Sequence, residues 1–575
     1  MDDSRHPAPP RRFLPPEWGP TDWPAIAEIV AELERRVIAD PAGLETWLLD
    51  RSELDSAVAG RASRLAVAAA RDTADAAAEA AHLVYQTEIL PEYHRASDRL
   101  DRKYLACPAR SGLDRERWRV HDRDTELAVE LFREENVELE AEEEKLITEY
   151  GRISGGMTVP FRGAERTLAE MAPFAEETDR GLREEAWRAV AARRLGERER
   201  LDDLFDRMLS LRRRIAVNAG FADYRDYKHR ALGRFDYSPA DCLELHRSVE
   251  RHVLPLVRRL SERRRRLLGL ERLRPWDFAV DPEGRPPYRP FADSAGQVRL
   301  AAELIGRVDS GFAEELRWME RAGLLDLETR PNKRQGGFMD TFEDCRHPFI
   351  FANSPHTHAG IETLVHETGH AVHALLARHL EPVGYRSAPL EFCEVASMGL
   401  ELLALEQLPA VYPAVEARRA ALDSFEDVAA SLAWTCTVDA FQHEVYTRPE
   451  CGAEERARIW LDLRRRFGAP CDWTGLEEER RFGWQAQLHL FEVPFYYVEY
   501  ALAQIGALQL WSAWRRDPEG AVARLRRGLA LGGSRPLPDL YRAAGLRFDP
   551  RGETLPALVG ELEAAWTELA GEPVG

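Results

Sequence analysis

The sequence predicts a mainly α-helical fold with one small β-sheet. Apolar residues recur at the three- and four-residue spacing of an amphipathic helix along most of the 575 residues. Runs that favour strands are short and fall in two places, residues 153–163 and 334–353. Hydrophobic residues make up 44% of the chain, which is ordinary for a globular protein and enough for a large core.

The first 150 residues are predicted to form an extended segment and then a helical region. Residues 1–22 are rich in proline and arginine, so we expect them to be extended. The spacing over 23–150 is helical, and within it 113–150 are expected to form one acidic amphipathic helix that ends at Tyr150. Its acidic residues favour a face in contact with water over a cation site.

A short hairpin is predicted after this helix. Over 153–163 the helical spacing is lost, apolar residues alternate, and Gly155 and Gly156 are suited to the turn. Helical spacing returns over 167–270 and again over 294–322.

The second strand region comes directly before another helix. Residues 334–345 and 348–353 form two runs that favour strands, joined by a polar turn. Helical patterns follow over 361–376, over 389–405 and onward to Trp566. The small sheet is therefore expected beside the helix at 361–376.

Two histidines of that helix have the spacing of metal ligands, and a glutamate lies between them in the sequence. Because His366 and His370 are four residues apart, both imidazoles project from one face of a helix and can bind one metal ion. Glu367 stands beside them, where a carboxylate can take a proton from an attacking water and hand it to a leaving amine. This chemistry is the hydrolysis of a peptide bond. An apolar stripe supports the helix and consists of Ile361, Leu364, Val365, Ala371, Val372, Leu375 and Leu376.

A third metal ligand must come from elsewhere, because a catalytic zinc ion takes three protein ligands and keeps one position for water. Seven of the sixteen histidines fall within residues 347–379, which favours a site over scattered core histidines. Three ligands from one straight helix rarely converge, so a carboxylate from the next helix is favoured over His373. Glu394 and Glu401 lie seven residues apart on one face, so one can bind the metal while the other orients an imidazole. The candidates are His373, Glu391, Glu394 and Glu401.

Composition argues against several classes of partner. The formal charge of -20 argues against nucleic acid, whose phosphates need a basic surface. No apolar run approaches the ~20 residues that span a bilayer, and the N-terminus lacks the apolar segment of a signal peptide. We therefore expect a cytoplasmic protein that does not enter a membrane. Seven widely spaced cysteines without a Cys-x-x-Cys pair indicate neither a disulfide framework nor a thiolate zinc site.

The chain resembles the zinc metallopeptidases of the thimet oligopeptidase and oligoendopeptidase F family. The similarity covers roughly residues 145–560 and is carried first by His366, Glu367 and His370, with His373 following. Further matching motifs are Arg183–Trp187, Gly336–Phe338, Pro348–Phe351, Phe392–Ser397 and Pro494–Tyr500.

This resemblance implies one zinc ion per chain, bound by His366, His370 and Glu394, with Glu367 as the general base. It also implies a large helical bundle cut by a deep substrate channel, with the small sheet next to the zinc helix. The catalytic region would span 151–575, with the zinc site within residues 366–401.

The family also uses a histidine and a pair of tyrosines that polarise the scissile carbonyl and stabilise its oxyanion. His489, Tyr497 and Tyr500 fit that pattern. The residues between His489 and the tyrosines differ from the glycine-rich stretch of the family, so Tyr496 stays an alternative to Tyr497. A phenol suits this role because it is a neutral donor at pH 7. The same tyrosines also fit ordinary aromatic residues packed on a helix face.

From the resemblance we expect a cytoplasmic zinc oligoendopeptidase that hydrolyses internal bonds of short unstructured peptides. A dipeptidyl carboxypeptidase on the same fold is the nearest alternative, and a catalytically inactive helical peptide-binding module is the alternative from another class. The strand run before the metal helix either pairs with an extended peptide through main-chain hydrogen bonds or only supports the helix. The sequence indicates neither the oligomeric state nor the cleavage preference.

Overall fold

The computed structural model describes residues 5–354, 356–448 and 450–571. Of the predicted extended segment 1–22, residues 1–4 lie outside the described residues, and the first described helix begins at Trp23. The mainly helical fold is confirmed, with strands only in two small sheets of the described chain. None of the described helices is both long enough and apolar enough to cross a lipid bilayer.

The helices of the N-terminal half are joined by short loops and one hairpin. In order these elements are α1 Trp23–Arg35, α2 Pro41–Arg71, α3 Ala76–Val84, α4 Leu90–Ala106, α5 Arg115–Leu131, α6 Glu134–Gly155, β1 Thr158–Phe161, β2 Ala164–Thr167, α7 Leu168–Met171, α8 Arg180–Leu195, α9 Arg198–Asn218, α10 Tyr224–Ala231, α11 Pro239–His252 and α12 Leu254–Leu267.

The C-terminal half contains the second sheet and the longest run of buried helices. Its elements are α13 Ser294–Val308, α14 Ser310–Arg321, β3 Leu325–Asp326, β4 Phe338–Phe342, β5 His347–Phe351, α15 His358–Ala377, α16 Leu390–Leu405, α17 Ala414–Tyr446, α18 Ala453–Arg466, α19 Glu477–Arg481, α20 Leu488–Glu492, α21 Val498–Arg516, α22 Pro518–Leu529, α23 Leu537–Ala543 and α24 Leu555–Ala570.

Aspartate side chains start many of these helices. Asp22 accepts a hydrogen bond from the backbone N–H of Ala25 at 3.0 Å, with Pro24 in the first turn of α1. Ser238 and Asp241 form a reciprocal capping box at the start of α11. Such caps pair the N–H groups that a helix leaves free at its N-terminus.

Three element predictions were wrong in detail. The single helix expected over 113–150 is divided into α5 and α6, because the backbone of Phe132 and Arg133 is extended. The hairpin turn lies at Arg162 and Gly163, both with positive φ, whereas Gly155 and Gly156 end α6. The helix expected over 294–322 breaks at Asp309, whose carboxylate caps α14 by accepting from Phe312 N at 3.0 Å.

The second sheet has the strand order β3-β5-β4. The central strand β5 is buried along its length, pairs in parallel with β3 and pairs antiparallel with β4 from Phe338–Phe351 to Phe342–His347. Strand β3 is too short to be read from the sequence. The prediction of a small sheet directly before helix α15 is confirmed, and β4 is an outer strand of that sheet.

Buried apolar side chains form two main clusters in the described chain. The smaller one lies within residues 14–118, and the larger one begins at Val67 and runs to Ala570. Within residues 14–118 the larger cluster includes only Val67 and Ala70, both on α2. The division at residue 150 into an N-terminal and a catalytic region stays a prediction.

Candidate active site

The site is built on two adjacent helices, α15 and α16, which contact each other closely at one glycine. A Cβ atom added at Gly369 would lie 2.5 Å from Cα of Ser397 and 2.8 Å from the carbonyl oxygen of Ala396. Both are backbone atoms, so a larger residue would push the helices apart. The glycine therefore sets the distance at which the candidate metal ligands of the two helices meet.

Three side chains converge beside this contact. Nε2 of His370 lies 3.2 Å from Nε2 of His366. Oε2 of Glu394 lies 3.5 Å from Nε2 of His366 and 3.6 Å from Nε2 of His370. Ligands of a tetrahedral zinc ion, bound at about 2.0–2.1 Å, are about 3.4 Å apart. The triangle of donor atoms fits that size, so these residues are suited to hold zinc.

The other candidates for the third ligand lie elsewhere. Oε1 of Glu401 is 2.5 Å from Nδ1 of His366, on the side of the ring away from Glu394. The carboxylate of Glu391 accepts from Tyr237 at 2.6 Å and is buried among other residues. His373 is buried with its ring against Phe392, and burial lowers its pKa to about 3. Only Glu394 of the four candidates completes the triangle.

Neighbouring side chains hold Glu394 in place. The hydroxyl of Tyr496 donates to Oε1 of Glu394 at 2.6 Å, and the hydroxyl of Ser397 lies 3.2 Å from Oε2. The carboxylate is only 2% exposed. Its orientation is therefore fixed by hydrogen bonds that sequence spacing alone does not reveal.

Glu367 lies beside the triangle with its carboxylate largely free. The residue is 6% exposed, and its Oε2 atom is buried without a hydrogen-bond partner among the described residues. Burial raises the pKa of Glu367 to about 7; Glu394 and Glu401 act in the same direction, while His366 opposes them. A carboxylate with a pKa near neutrality can both accept and return a proton at pH 7.

A cavity of about 400 Å³ opens over these residues. One wall is the segment Gly337–Thr341, which includes most of strand β4, and another carries His489, Tyr496 and Tyr500. The predicted tyrosine Tyr497 does not line it. Its hydroxyl lies 3.1 Å from Nε1 of Trp434, outside the cavity.

The direction of these tyrosines is decided at Phe495. This residue has a positive φ of 65°, which non-glycine residues rarely adopt. Its N–H donates to Gln442 at 2.5 Å, and its carbonyl oxygen accepts from Arg234 at 2.5 Å. After this turn Tyr496 lines the cavity, whereas the hydroxyl of Tyr497 lies beside Trp434. The ring of Tyr497 still packs against His489 at 4.7 Å and Tyr500 at 5.2 Å, so its predicted role stays a prediction.

His489 and Tyr500 are neutral hydrogen-bonding groups. The side-chain amide of Gln487 lies 2.8 Å from Nδ1 of His489, and because an amide nitrogen only donates, the ring proton is assigned to Nε2. Nε2 is 3.5 Å from the hydroxyl of Tyr500. Burial lowers the pKa of His489 to about 4 and raises the pKa of Tyr500 well above its usual value.

Three arginines also line the cavity, and no motif in the sequence marks them as site residues. They are Arg346, Arg378 and Arg386. Arg386 is paired with Glu343 at 2.7 Å, whereas Nε of Arg346 and Nε of Arg378 are buried without a hydrogen-bond partner in the described chain. The three arginines share the cavity with the acidic residues Asp340, Glu343, Glu367 and Glu394.

The chain is similar in sequence to known peptidases. The sequence profile of peptidase family M3 matches residues 174–558, which is well over half of the chain. The chain is 25% identical over 247 residues to the plasmid oligoendopeptidase F of Lactococcus lactis subsp. cremoris, covering 42% of this chain and 39% of that protein. It is 25% identical over 312 residues to the oligopeptidase PepF of Bacillus subtilis (strain 168), covering 52% and 44%. The matched part thus spans about two fifths of these relatives.

A solved structure matches over almost the whole chain. PZ peptidase A with an inhibitor superposes with a TM-score of 0.89 at 27% sequence identity. The match covers 94% of this chain and 96% of that one.

Proposed function

Because this chain belongs to peptidase family M3, we propose that it is a zinc-dependent oligoendopeptidase that hydrolyses internal bonds of short unstructured peptides. The observation that carries the proposal is the triangle of His366, His370 and Glu394 with the free carboxylate of Glu367 beside it. A zinc ion bound there would polarise the scissile carbonyl and lower the pKa of a water molecule.

Glu367 is proposed to move the proton. It would accept a proton from the attacking water and pass it to the amine that leaves when the peptide bond breaks. Its buried Oε2 atom has no hydrogen-bond partner among the described residues, so it is free to take up and return that proton. It is not one of the three donors of the triangle.

Tyr500, Tyr496 and His489 are proposed to act on the substrate carbonyl. Neutral donors in a dry cavity stabilise the negative charge that develops on the oxygen during attack. Tyr500 and His489 face the cavity as such donors. Tyr496 is bonded to Glu394 and would first steady that ligand. The role predicted for Tyr497 stays a prediction that its contact with Trp434 does not favour.

Strand β4 is proposed to align the peptide. It is an outer strand of its sheet, and Gly337–Thr341 form a wall of the cavity. Main-chain hydrogen bonds to such an edge tolerate many side chains, which suits an enzyme for varied peptides. A merely supporting strand would account equally for its pairing with β5.

Dipeptidyl carboxypeptidase activity is a second candidate, because arginines line the same cavity. Guanidinium groups bind carboxylates through paired N–H donors, so the side chains of Arg346, Arg378 and Arg386 are suited to hold the terminal carboxylate of a substrate. An endopeptidase has no need of such a contact. The two activities differ in whether the C-terminus of the peptide must be free.

The deciding experiment uses a pool of unstructured peptides, each with a free and an amidated C-terminus, read by mass spectrometry. The proposal expects internal cleavage of both forms, loss of cleavage with a chelator and recovery with added zinc. Cleavage of dipeptides from free C-termini only would favour the second candidate. No cleavage by zinc-loaded protein that still binds peptides would favour an inactive binding module.

Substrate size gives a further test. A peptide at the bottom of a cavity between helices must be extended, at ~3.3 Å per residue, so folded domains would not reach Glu367. We expect rates to fall along a ladder of peptides from about five to about forty residues that share one cleavable sequence. Rapid cleavage of a folded protein would contradict a deep site.

A further inference from the structure

A second group of metal-binding side chains lies where α11 contacts α17, away from the catalytic cavity. Helix α11 carries Cys242 and His246, and α17 carries Asp439 and His443, in each case four residues apart. Each pair therefore shares one face of its helix. All four side chains are buried, with exposures between 1% and 6%.

The donor atoms are close enough to share one ion. One ligand atom each of Cys242, Asp439 and His443 lies within 4.8 Å of the other two. Nε2 of His443 is 3.3 Å from Oδ2 of Asp439. That separation matches two ligands of a tetrahedral zinc ion bound at about 2.0–2.1 Å.

Ordinary hydrogen bonding does not use all of these atoms. Oδ2 of Asp439 is near both histidines, including Nε2 of His246 at 2.8 Å. Oδ1 of Asp439 and Nδ1 of His443 are buried without a hydrogen-bond partner among the described residues. Native structures rarely leave buried polar atoms unpaired, and an unpaired one costs about 1–3 kcal/mol.

We propose that Cys242, Asp439 and His443 bind a second, structural divalent ion of the zinc type. A thiolate, an imidazole and a carboxylate are donors that zinc accepts in proteins. His246 would support the site by donating to the carboxylate of Asp439, as partners of metal ligands commonly do. A purely ionic cluster of Asp439 with the two histidines is the competing explanation.

Sequence spacing could not reveal this site. Zinc sites of the thiolate type are read from cysteines close together in the chain, whereas Cys242 stands alone and its partners lie on a distant helix. Only the contact between α11 and α17 brings the two four-residue pairs together. The sequence-based expectation of no thiolate site therefore depended on a pattern that this arrangement does not follow.

Binding would change the state of the thiol. Burial raises the pKa of Cys242 well above its ordinary value, and Asp439 acts in the same direction. A bound cation takes the thiolate form, so the Cys242 proton would be released to solvent as the sulfur–metal bond forms.

The position of the cluster suggests what the ion would stabilise. The ring of His443 packs edge-on against Phe495 at 5.6 Å, and the neighbouring Gln442 accepts from Phe495 N. Phe495 forms the positive-φ turn that directs Tyr496 into the catalytic cavity. An ion joining α11 to α17 would hold the support of that turn in place.

The test separates the two ions. Zinc content is measured for the full chain and for a His366→Ala, His370→Ala double variant, which lacks two donors of the catalytic triangle. The proposal expects two ions per chain in the first and one in the second. A double variant that folds and contains no zinc would overturn it.

Cobalt gives an independent reading that does not depend on the double variant. Cobalt bound by a thiolate shows a near-ultraviolet charge-transfer band, and the catalytic triangle contains no sulfur. We expect the band in the unaltered chain, its loss in Cys242→Ser and its retention in the control Cys393→Ser, whose thiol lies beside Glu394. Absence of the band in the unaltered chain, or its loss in Cys393→Ser, would refute the second site.

Discussion

Nδ1 of His366 on α15 lies 2.5 Å from Oε1 of Glu401 on the next helix, α16. Glu401 thereby holds the ring so that Nε2 faces the carboxylate of Glu394 at 3.5 Å. Carboxylates that bond the far nitrogen of a ligating histidine fix its tautomer and increase its basicity. The pairing gives Glu401 a role distinct from that of Glu394, although both are glutamates of α16 on the same face.

Replacing Glu401 should weaken zinc binding without abolishing it. We expect Glu401→Ala to lower zinc affinity by roughly 10- to 100-fold, because the ring of His366 loses its support. Glu394→Ala should lower it far more, because a donor is removed. His373→Ala should change it little. Competition with a chelator measures all three, and a larger effect of His373→Ala than of Glu394→Ala would show that the third ligand is wrongly assigned.

Glu367→Gln should separate zinc binding from catalysis. The amide keeps the shape of the side chain but cannot accept the proton, so turnover should fall by about 10²- to 10⁴-fold. Zinc content should be unchanged, since Glu367 is not one of the three donors. Peptide turnover and metal analysis on the same sample check this, and near-normal activity with full zinc would rule out the assigned role.

Tyr500→Phe should lower kcat more than it raises KM. A hydroxyl that acts mainly on the developing oxyanion is worth roughly 2–4 kcal/mol in the transition state. His489→Ala should act in the same way, because its Nε2 faces the same space. Tyr497→Phe is the matched control, since its hydroxyl is beside Trp434. A larger effect of Tyr497→Phe than of Tyr500→Phe on kcat would show that the hydroxyl of Tyr497 acts on the oxyanion.

Gly369→Ala should destabilise the fold and disturb the metal site together. The added methyl group would meet the backbone of Ser397, so α15 and α16 must separate, at a cost of about 1–3 kcal/mol or more. Gly151→Ala is the matched control, because that helical glycine of α6 has open space around it. We expect the control to stabilise by about 0.5–1 kcal/mol. Denaturant unfolding and zinc affinity of both variants test the contrast.

The sequence was sufficient for features that depend on local spacing. The helical fold, the small sheet before α15 and the grouping of His366, Glu367 and His370 on one helix follow from residues within a few turns of each other. The direction of the Tyr496 side chain does not follow from such local spacing. It depends on the positive φ of Phe495, which is held by Arg234 from another part of the chain.

The ends of helices could not be predicted from apolar periodicity either. The break at Asp309 is made by a single capping side chain that also pairs with Arg526, while the apolar spacing continues across it. The pair Cys242 and His443 shows the same limit, since their proximity comes only from the packing of α11 on α17. Long-range packing therefore determines which of several locally compatible structures forms.

The contact at Gly369 determines whether substitutions in the core reduce the amount of folded protein or its specific activity. The spacing of the two ligand-bearing helices is set by backbone atoms, which substitutions in the surrounding core do not replace. Core changes of moderate size would therefore lower the fraction of chains that reach the folded state, and so their cellular abundance. Each molecule that does fold should retain its specific activity. Mutational drift would be visible first in yield and only later in catalysis.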